Sequence, residues 1–195
     1  MGWKEAADQY CSIARALGIL GDRWTLLIVR EAFSGVRRFD DFRRHLGIAR
    51  NILTDRLQRL VETGVLELKP YQDNPPRYEY RLTECGKDLN GVLASLLSWG
   101  DRWLAGDAGP PLLICHKGCG QAIVPELRCP YCGEVLHAQN TYLTVGPGLP
   151  NDVAASRAHE LHRLRAERTV PGHAAEQNTA SETPSPSAGR RHEGD

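Results

Sequence analysis

The sequence predicts a mainly α-helical chain with one small β-hairpin, followed by a short cysteine-rich module and a polar tail. Three observations carry this reading. Apolar residues recur at helical spacing through residues 1–105, which also hold all four tryptophans. Two-residue alternation replaces that spacing once, on both sides of "QDNPP". Four of the six cysteines fall between Cys115 and Cys132, in "CHKGCGQAIVPELRCPYCGE". At 195 residues the chain can bury one core and carry something smaller beside it.

Each element follows from its own pattern. "WTLLIVREAF" (Trp24–Phe33) is apolar and unbroken by Gly or Pro, which predicts a buried helix. Two short helices are expected in Arg37–Gly64, on either side of "GIA". In the first, Phe39, Phe42 and Leu46 share a face; in the second, Leu53, Leu57, Leu60 and Val61 form the matching stripe, and Gly64 ends it. "VLELKPYQDNPPRYEYRLT" (Val65–Thr83) alternates as a hairpin with a proline-stiffened tip. Thr83 then caps a last helix over about 84–105, whose Leu89, Val92, Leu93, Leu96, Leu97, Trp99 and Trp103 make a wide apolar stripe. "AGDAGPP" (Ala105–Pro111) gives a linker over 106–111, and the cysteine module occupies 112–142. The remainder, 143–195, ends in the Ser/Pro/Thr-rich "EQNTASETPSPSAGRRHEGD" and is expected to be largely disordered, with a marginal helix over Ala154–Arg168.

The formal net charge is zero, so bulk charge selects no partner and local clusters must be read instead. The start, "MGWKEAADQY", has no apolar run of signal-peptide length, and no stretch approaches the ~20 apolar residues of a membrane span. Ala6 breaks the myristoylation pattern that Gly2 would begin. These features predict a cytoplasmic protein without a membrane partner. In a reducing compartment, clustered cysteines are metal ligands more often than disulfides.

Helix, short helix, tight turn, helix and hairpin, in that order, make a winged helix-turn-helix domain, whose second short helix enters the DNA major groove. With Leu53, Leu57 and Leu60 turned inward, Asn51, Thr54, Asp55 and Gln58 face outward, and Arg50 lies at the helix start. Asn and Gln pair bidentately with adenine and Arg with guanine. Between Ser34 and Leu60 there are seven Arg against three Asp and no Glu, an excess suited to phosphate. Arg43 and Arg44 are expected on the backbone, and Arg77, beside the hairpin tip, on the backbone or minor groove. The plainer alternative is that Arg37, Arg38, Arg43, Arg44, Arg56 and Arg59 form an ordinary solvated face.

Residues 10–104 resemble the HxlR family of bacterial transcription regulators. The resemblance is carried by "LGDRWTLLIVREA", "FDDFRRHLGIARNILTDRLQRL" and "YEYRLTECGKDL". It implies a homodimeric winged-helix DNA binder related to MarR-type regulators, often a repressor. It also implies that "ARNILTDRLQRL" is the recognition helix, that "YQDNPPRYEY" belongs to the wing, and that the first and last helices of the domain build the dimer. The apolar stripe of the last helix independently points to an association surface, and a two-fold dimer suits a palindromic double-stranded operator.

In the cysteine module, "CPYCG" is a zinc-knuckle sequence: two thiolates two residues apart turn back on one ion, and glycine permits the turn. The upstream half supports two ligand sets. Cys115 and Cys119 are spaced C-x3-C, yet "HKGCG" aligns with "CPYCG" and puts His116 in the first ligand place. The favoured set is His116, Cys119, Cys129 and Cys132, with Cys115 as the alternative to His116. Either set gives a closed, structural Zn site. A zinc-dependent enzyme is the rival reading. A deaminase would need an upstream H-x-E, which the chain lacks, and "HELH" (His159–His162) is one residue short of H-E-x-x-H. No catalytic residue is assigned. Some HxlR-like regulators sense electrophiles or oxidants through a cysteine near the first helix, and Cys11 matches that place, which would make a small molecule or an oxidant the signal. The family pattern there is Cys-Pro, whereas Ser12 follows here, and a small buried core residue is the other reading of Cys11.

Overall fold

A computed structural model of the chain describes residues 10–168. Ser12–Leu20 form α1, Thr25–Phe33 α2, Phe39–Leu46 α3 and Arg50–Glu62 α4. The hairpin follows as β1 (Leu66–Asp73) and β2 (Pro76–Leu82), antiparallel with Leu66 opposite Leu82 and Leu68 opposite Tyr80. Then come α5 (Glu84–Asp88), α6 (Asn90–Leu104), the two-residue strands β3 (Ile114–Cys115) and β4 (Ala122–Ile123), and α7 (Asn151–Arg168).

The core is one cluster at the junction of α2, α3, α4 and the hairpin. Ile28, Val29, Phe42, Leu53, Leu57, Leu60 and Leu66 are buried in it, and Leu89, between the last two helices of the domain, and Leu93 of α6 pack against it. The stripes expected on α3 and α4 are therefore the faces that meet. Phe42 stands edge-on to Tyr80, with ring centroids 6.3 Å apart, and joins α3 to the hairpin. Gly47, at φ +61°, makes the tight turn between α3 and α4. At the far end of α4 the Val65 amide donates to the Leu60 carbonyl and the Gly64 amide to Val61, the paired bonds of a Schellman stop. The Tyr80 amide donates to the Arg37 carbonyl at 2.8 Å, which ties the wing to the entry of α3.

Two expectations on the helices are corrected. The last helix of the domain is not continuous over 84–105. Thr83 caps it as expected, its hydroxyl accepting from the Gly86 amide at 3.1 Å, but α5 ends at Asp88 and α6 begins at Asn90. The cause is local. A Cβ at Gly86 would lie 2.2 Å from the Val65 carbonyl oxygen, so α5 is pressed onto the strand start. Asp88, Asn90 and Gly91 then supply poor helix formers around Leu89, the one residue between the two helices.

The second correction concerns the tail. Residues 151–168 are helical, starting three residues before the expected Ala154. Arg157 pairs with Glu160 at 2.7 Å and Arg163 with Glu167 at 3.1 Å, while the Arg165 guanidinium stacks 3.7 Å over Tyr142. These local pairs support a helix that composition alone reads as marginal. The disorder expected over 169–195 lies outside the described residues.

Residues 10–141 and 142–168 belong to two separate compact units. Within the first, the cysteine module lies beside α6 across an open groove of about 690 Å³, lined by Ser98, Trp99, Trp103, Leu113, Ile123 and Leu136 among others. No helix among the described residues is long and apolar enough to cross a membrane.

Candidate nucleic-acid interface

The eight residues expected to meet DNA, namely Arg43, Arg44, Arg50, Asn51, Thr54, Asp55, Gln58 and Arg77, are all exposed. Four of them share one face of α4, because Asn51, Thr54, Asp55 and Gln58 are spaced three and four apart. Burial of Leu53, Leu57 and Leu60 turns that face outward. Arg50 is the first residue of α4 and its guanidinium lies 5.3 Å over the Phe39 ring, which holds it at the mouth of the turn. Ala49 precedes it and supplies no side-chain cap, so the first amides of α4 have no side-chain acceptor there.

Local contacts divide the set. The Thr54 hydroxyl donates back to the Arg50 carbonyl at 2.9 Å, and the Gln58 amide donates to Glu62 at 2.8 Å. Arg44 pairs with Asp41 at 2.5 Å. Asp55 pairs with Arg56.

Two arginines of the basic run serve the fold instead. Arg56 is half-buried, and its Nε lies 2.7 Å from Asp22 Oδ2 in an ionic contact not aligned as a hydrogen bond. Asp22 also accepts from the Trp24 amide at 2.7 Å and from the Thr25 hydroxyl at 2.5 Å. Burial pushes the Asp22 carboxyl up, but the hydrogen bonds of Thr25 and Trp24 and the Arg56 cation outweigh it and hold its pKa below the usual value. Arg59 donates to the Gly18 carbonyl at the end of α1. The α4 helix is thus fastened by its rear flank to the α1–α2 corner, which leaves its front face free. The signal that would have found this is the acid of "GDRW", thirty-four residues before its partner.

A second buried acid braces the helix in front. Glu31 of α2 accepts from Arg30 at 2.6 Å and lies 3.0 Å from His45 Nδ1 near the end of α3. Burial pushes the Glu31 pKa up, but the contacts with His45 and Arg30 outweigh it, so it too lies below the ordinary carboxylate value. Arg38 lies 3.6 Å from Glu79 and 4.5 Å over the Tyr71 ring, linking the start of α3 to the wing.

The cysteine module has the donors a structural zinc takes, and it has the turns. His116 Nδ1 lies 3.4 Å from Cys119 Sγ. The Cys129 sulfur accepts from the amides of Cys132 and Tyr131 and from the Cys132 thiol, and these bonds lower its pKa. The structure therefore brings together His116 with Cys119, and Cys129 with Cys132. Among the described residues no three His, Cys, Asp or Glu side chains converge on one point. The donor chemistry and the turn geometry fit zinc within each pair. Cys115 is exposed. Cys11 is half-buried at the N-cap of α1, and Cys85 is exposed on α5.

This assembly defines a winged helix-turn-helix protein, with α3 and α4 as the two helices and β1–β2 as the wing. The chain belongs to the HxlR-like helix-turn-helix family, whose model matches residues 19–108. An HTH-type transcriptional regulator of Mycobacterium tuberculosis, Rv3095, is 48% identical over 145 residues, which is 74% of this chain and 92% of that protein. The HTH-type transcriptional regulator YdeP of Bacillus subtilis is 32% identical over 106 residues, 53% of this chain and 83% of its own length. The crystal structure of PA1607, described as a transcription factor, superposes with a TM-score of 0.66 at 34% identity, over 73% of this chain and 99% of that one. PA1374 of Pseudomonas aeruginosa, described likewise, gives 0.55 at 35% identity over 75% and 99%. A match of 145 residues, wherever it starts in a chain of 195, includes all of Cys115–Cys132. The matched stretch therefore runs through the positions of the cysteine module.

Proposed function

We propose that this helix-turn-helix regulator acts as a homodimer, represses transcription from a palindromic operator, and uses a zinc ion only to hold its cysteine module together. The observation that carries the DNA reading is the outward face of α4. Arg50, Asn51, Thr54, Asp55 and Gln58 are exposed there, while the opposite face is buried and the flank is fastened through Arg56 and Arg59. Arg50 and Asn51 read base edges. Arg43 and Arg44 meet phosphate, and Arg77 reaches the backbone or minor groove from the wing. Repression rests on the family resemblance.

Dimerisation is supported by what α1 and α6 leave uncovered. Ile13 and Leu17 on α1, and Val92, Leu96, Trp99 and Trp103 on α6, are exposed apolar side chains, with Trp103 at 64%. Such a band costs solubility unless another surface covers it. Leu97 of the same stripe is half-buried and borders the groove, so Leu96 is the better probe. Leu96→Asp places a charge in the apolar interface and is expected to give monomers or aggregates by analytical ultracentrifugation. A folded dimer in that variant removes α6 from the interface. Duplexes selected from a random pool are expected to carry an inverted repeat with half-sites about 34–36 Å apart, or a multiple of that. Enrichment of a single half-site contradicts the dimeric reading.

The structural-zinc reading is supported by the module's lack of a core. Leu112, Leu113, Val124 and Leu127 are each more than 60% exposed. A segment this poor in burial needs a staple. The rival reading, a zinc enzyme, has no such support: "HELH" puts His159 and His162 on exposed turns of α7, separate from the cysteines in sequence and in compact unit.

A further inference from the structure

We infer that the cysteine module is a duplicated knuckle, and that the duplication assigns its zinc ligands as His116, Cys119, Cys129 and Cys132, with Cys115 outside the set. The inference rests on the structural-zinc reading and adds which atoms hold the ion.

The observation is a repeat in backbone hydrogen bonding at an offset of thirteen residues. The His116 amide donates to the Gln121 carbonyl at 2.9 Å, and the Cys129 amide donates to Glu134 at 2.8 Å. The Gly120 amide donates back to the His116 carbonyl at 2.8 Å, and the Gly133 amide back to Cys129 at 2.9 Å. Gly120 and Gly133 both have positive φ, +70° and +74°. One residue further out, Cys115 pairs with Ala122 in the β3–β4 ladder, and Arg128 pairs with Val135 in an isolated antiparallel bridge. These main-chain bonds and the bridge beyond them repeat one for one. His116 is therefore the equivalent of Cys129, and Cys119 the equivalent of Cys132. Cys115 is the equivalent of Arg128.

That equivalence has chemical content. The residue whose carbonyl accepts the glycine amide, and the residue just before the glycine, project from one such turn toward one point. In the second turn they are Cys129 and Cys132. In the first they are His116 and Cys119, whose Nδ1 and Sγ are 3.4 Å apart. Two ligands on one tetrahedral zinc, at ordinary Zn–N and Zn–S lengths, are separated by about 3.5 Å. Cys115 ends the two-residue strand β3, paired with Ala122, and so lies one residue outside the turn that His116 opens. Its counterpart Arg128 is no ligand. The Arg128 guanidinium donates to the Gly133 carbonyl at 3.1 Å and pairs with Glu126 at 2.5 Å. The set is three thiolates and one imidazole, which fills a tetrahedral ion and leaves Cys115 a free thiol.

Co(II) added to the metal-free full-length chain tests this, read by its thiolate-to-metal absorption and its stoichiometry. One ion per chain is expected, with full absorption in Cys115→Ser and loss of it in Cys119→Ser. His116→Ala is expected to lose the tetrahedral spectrum. His116→Cys is expected to keep it and raise the charge-transfer intensity by about a third, from three thiolates to four; this variant keeps the test sharp if the alanine variant fails to fold. Loss in Cys115→Ser with an unchanged spectrum in His116→Ala overturns the assignment in favour of the four-cysteine set. Absence of stoichiometric Co(II) or Zn(II) in the unsubstituted chain overturns the structural-zinc reading itself.

Discussion

Removing zinc with a strong chelator is expected to unfold residues 112–142 while residues 12–104 stay folded. The two regions differ in what holds them. The winged helix has a closed core in which Ile28, Phe42, Leu53 and Leu57 are fully buried. The module has two-residue strands, two glycine turns and apolar side chains that remain largely exposed. Binding of a structural zinc contributes about 10–16 kcal/mol in small fingers, which exceeds anything such a module can gain from burial. Hydrogen exchange reads the outcome by residue. The amides of His116, Gly120, Cys129 and Gly133 are expected to lose protection on chelation, and those of α2 and α4 to keep it. Simultaneous loss in both regions would mean that the module is part of the core of the winged helix, and the staple reading would be too small.

Phe42→Ala is expected to cost about 3–5 kcal/mol, the usual range for truncating a buried aromatic residue. Phe42 is fully buried, and its edge-on contact with Tyr80 joins α3 to the wing. Deleting it opens a cavity between the two parts that position α4. In a domain of about 100 residues that is a fall in Tm of more than about 10 °C. Calorimetry is the measurement, with Phe42→Leu expected to recover a good part of the loss. A fall of only a degree or two would show that the α3–wing junction collapses around the gap and carries little of the stability.

The winged-helix core was legible because the periodicities of its elements are strong. Leu53, Leu57 and Leu60 recur at helical spacing, and all three are buried. The hairpin declared itself by alternation broken at the proline pair, and Thr83 by its place before the last helix. The break between α5 and α6 was not legible, because Leu89, Leu93 and Leu97 keep their spacing straight across it. Only the fold reveals that Gly86 must lie against the Val65 carbonyl. The basic run was legible as a charge excess but not in its division of labour. Arg56 and Arg59 look like Arg43 and Arg44 in sequence, and what separates them is contact with Asp22 and Gly18 on a distant corner. Spacing admits both His116 and Cys115 as ligands, and the repeat that distinguishes them lies in backbone hydrogen bonds.

We propose that the exposed face of α4, led by Arg50, reads DNA sequence. The direct measurement is binding of the full chain and of Arg50→Ala to selected operator and to random duplex across a range of salt. Affinity for both duplexes is expected to fall steeply with salt, as phosphate contact requires. Arg50→Ala is expected to weaken operator binding by about 1–3 kcal/mol and to relax specificity at one position of each half-site. Equal weakening on operator and random duplex, with the sequence preference intact, would contradict it.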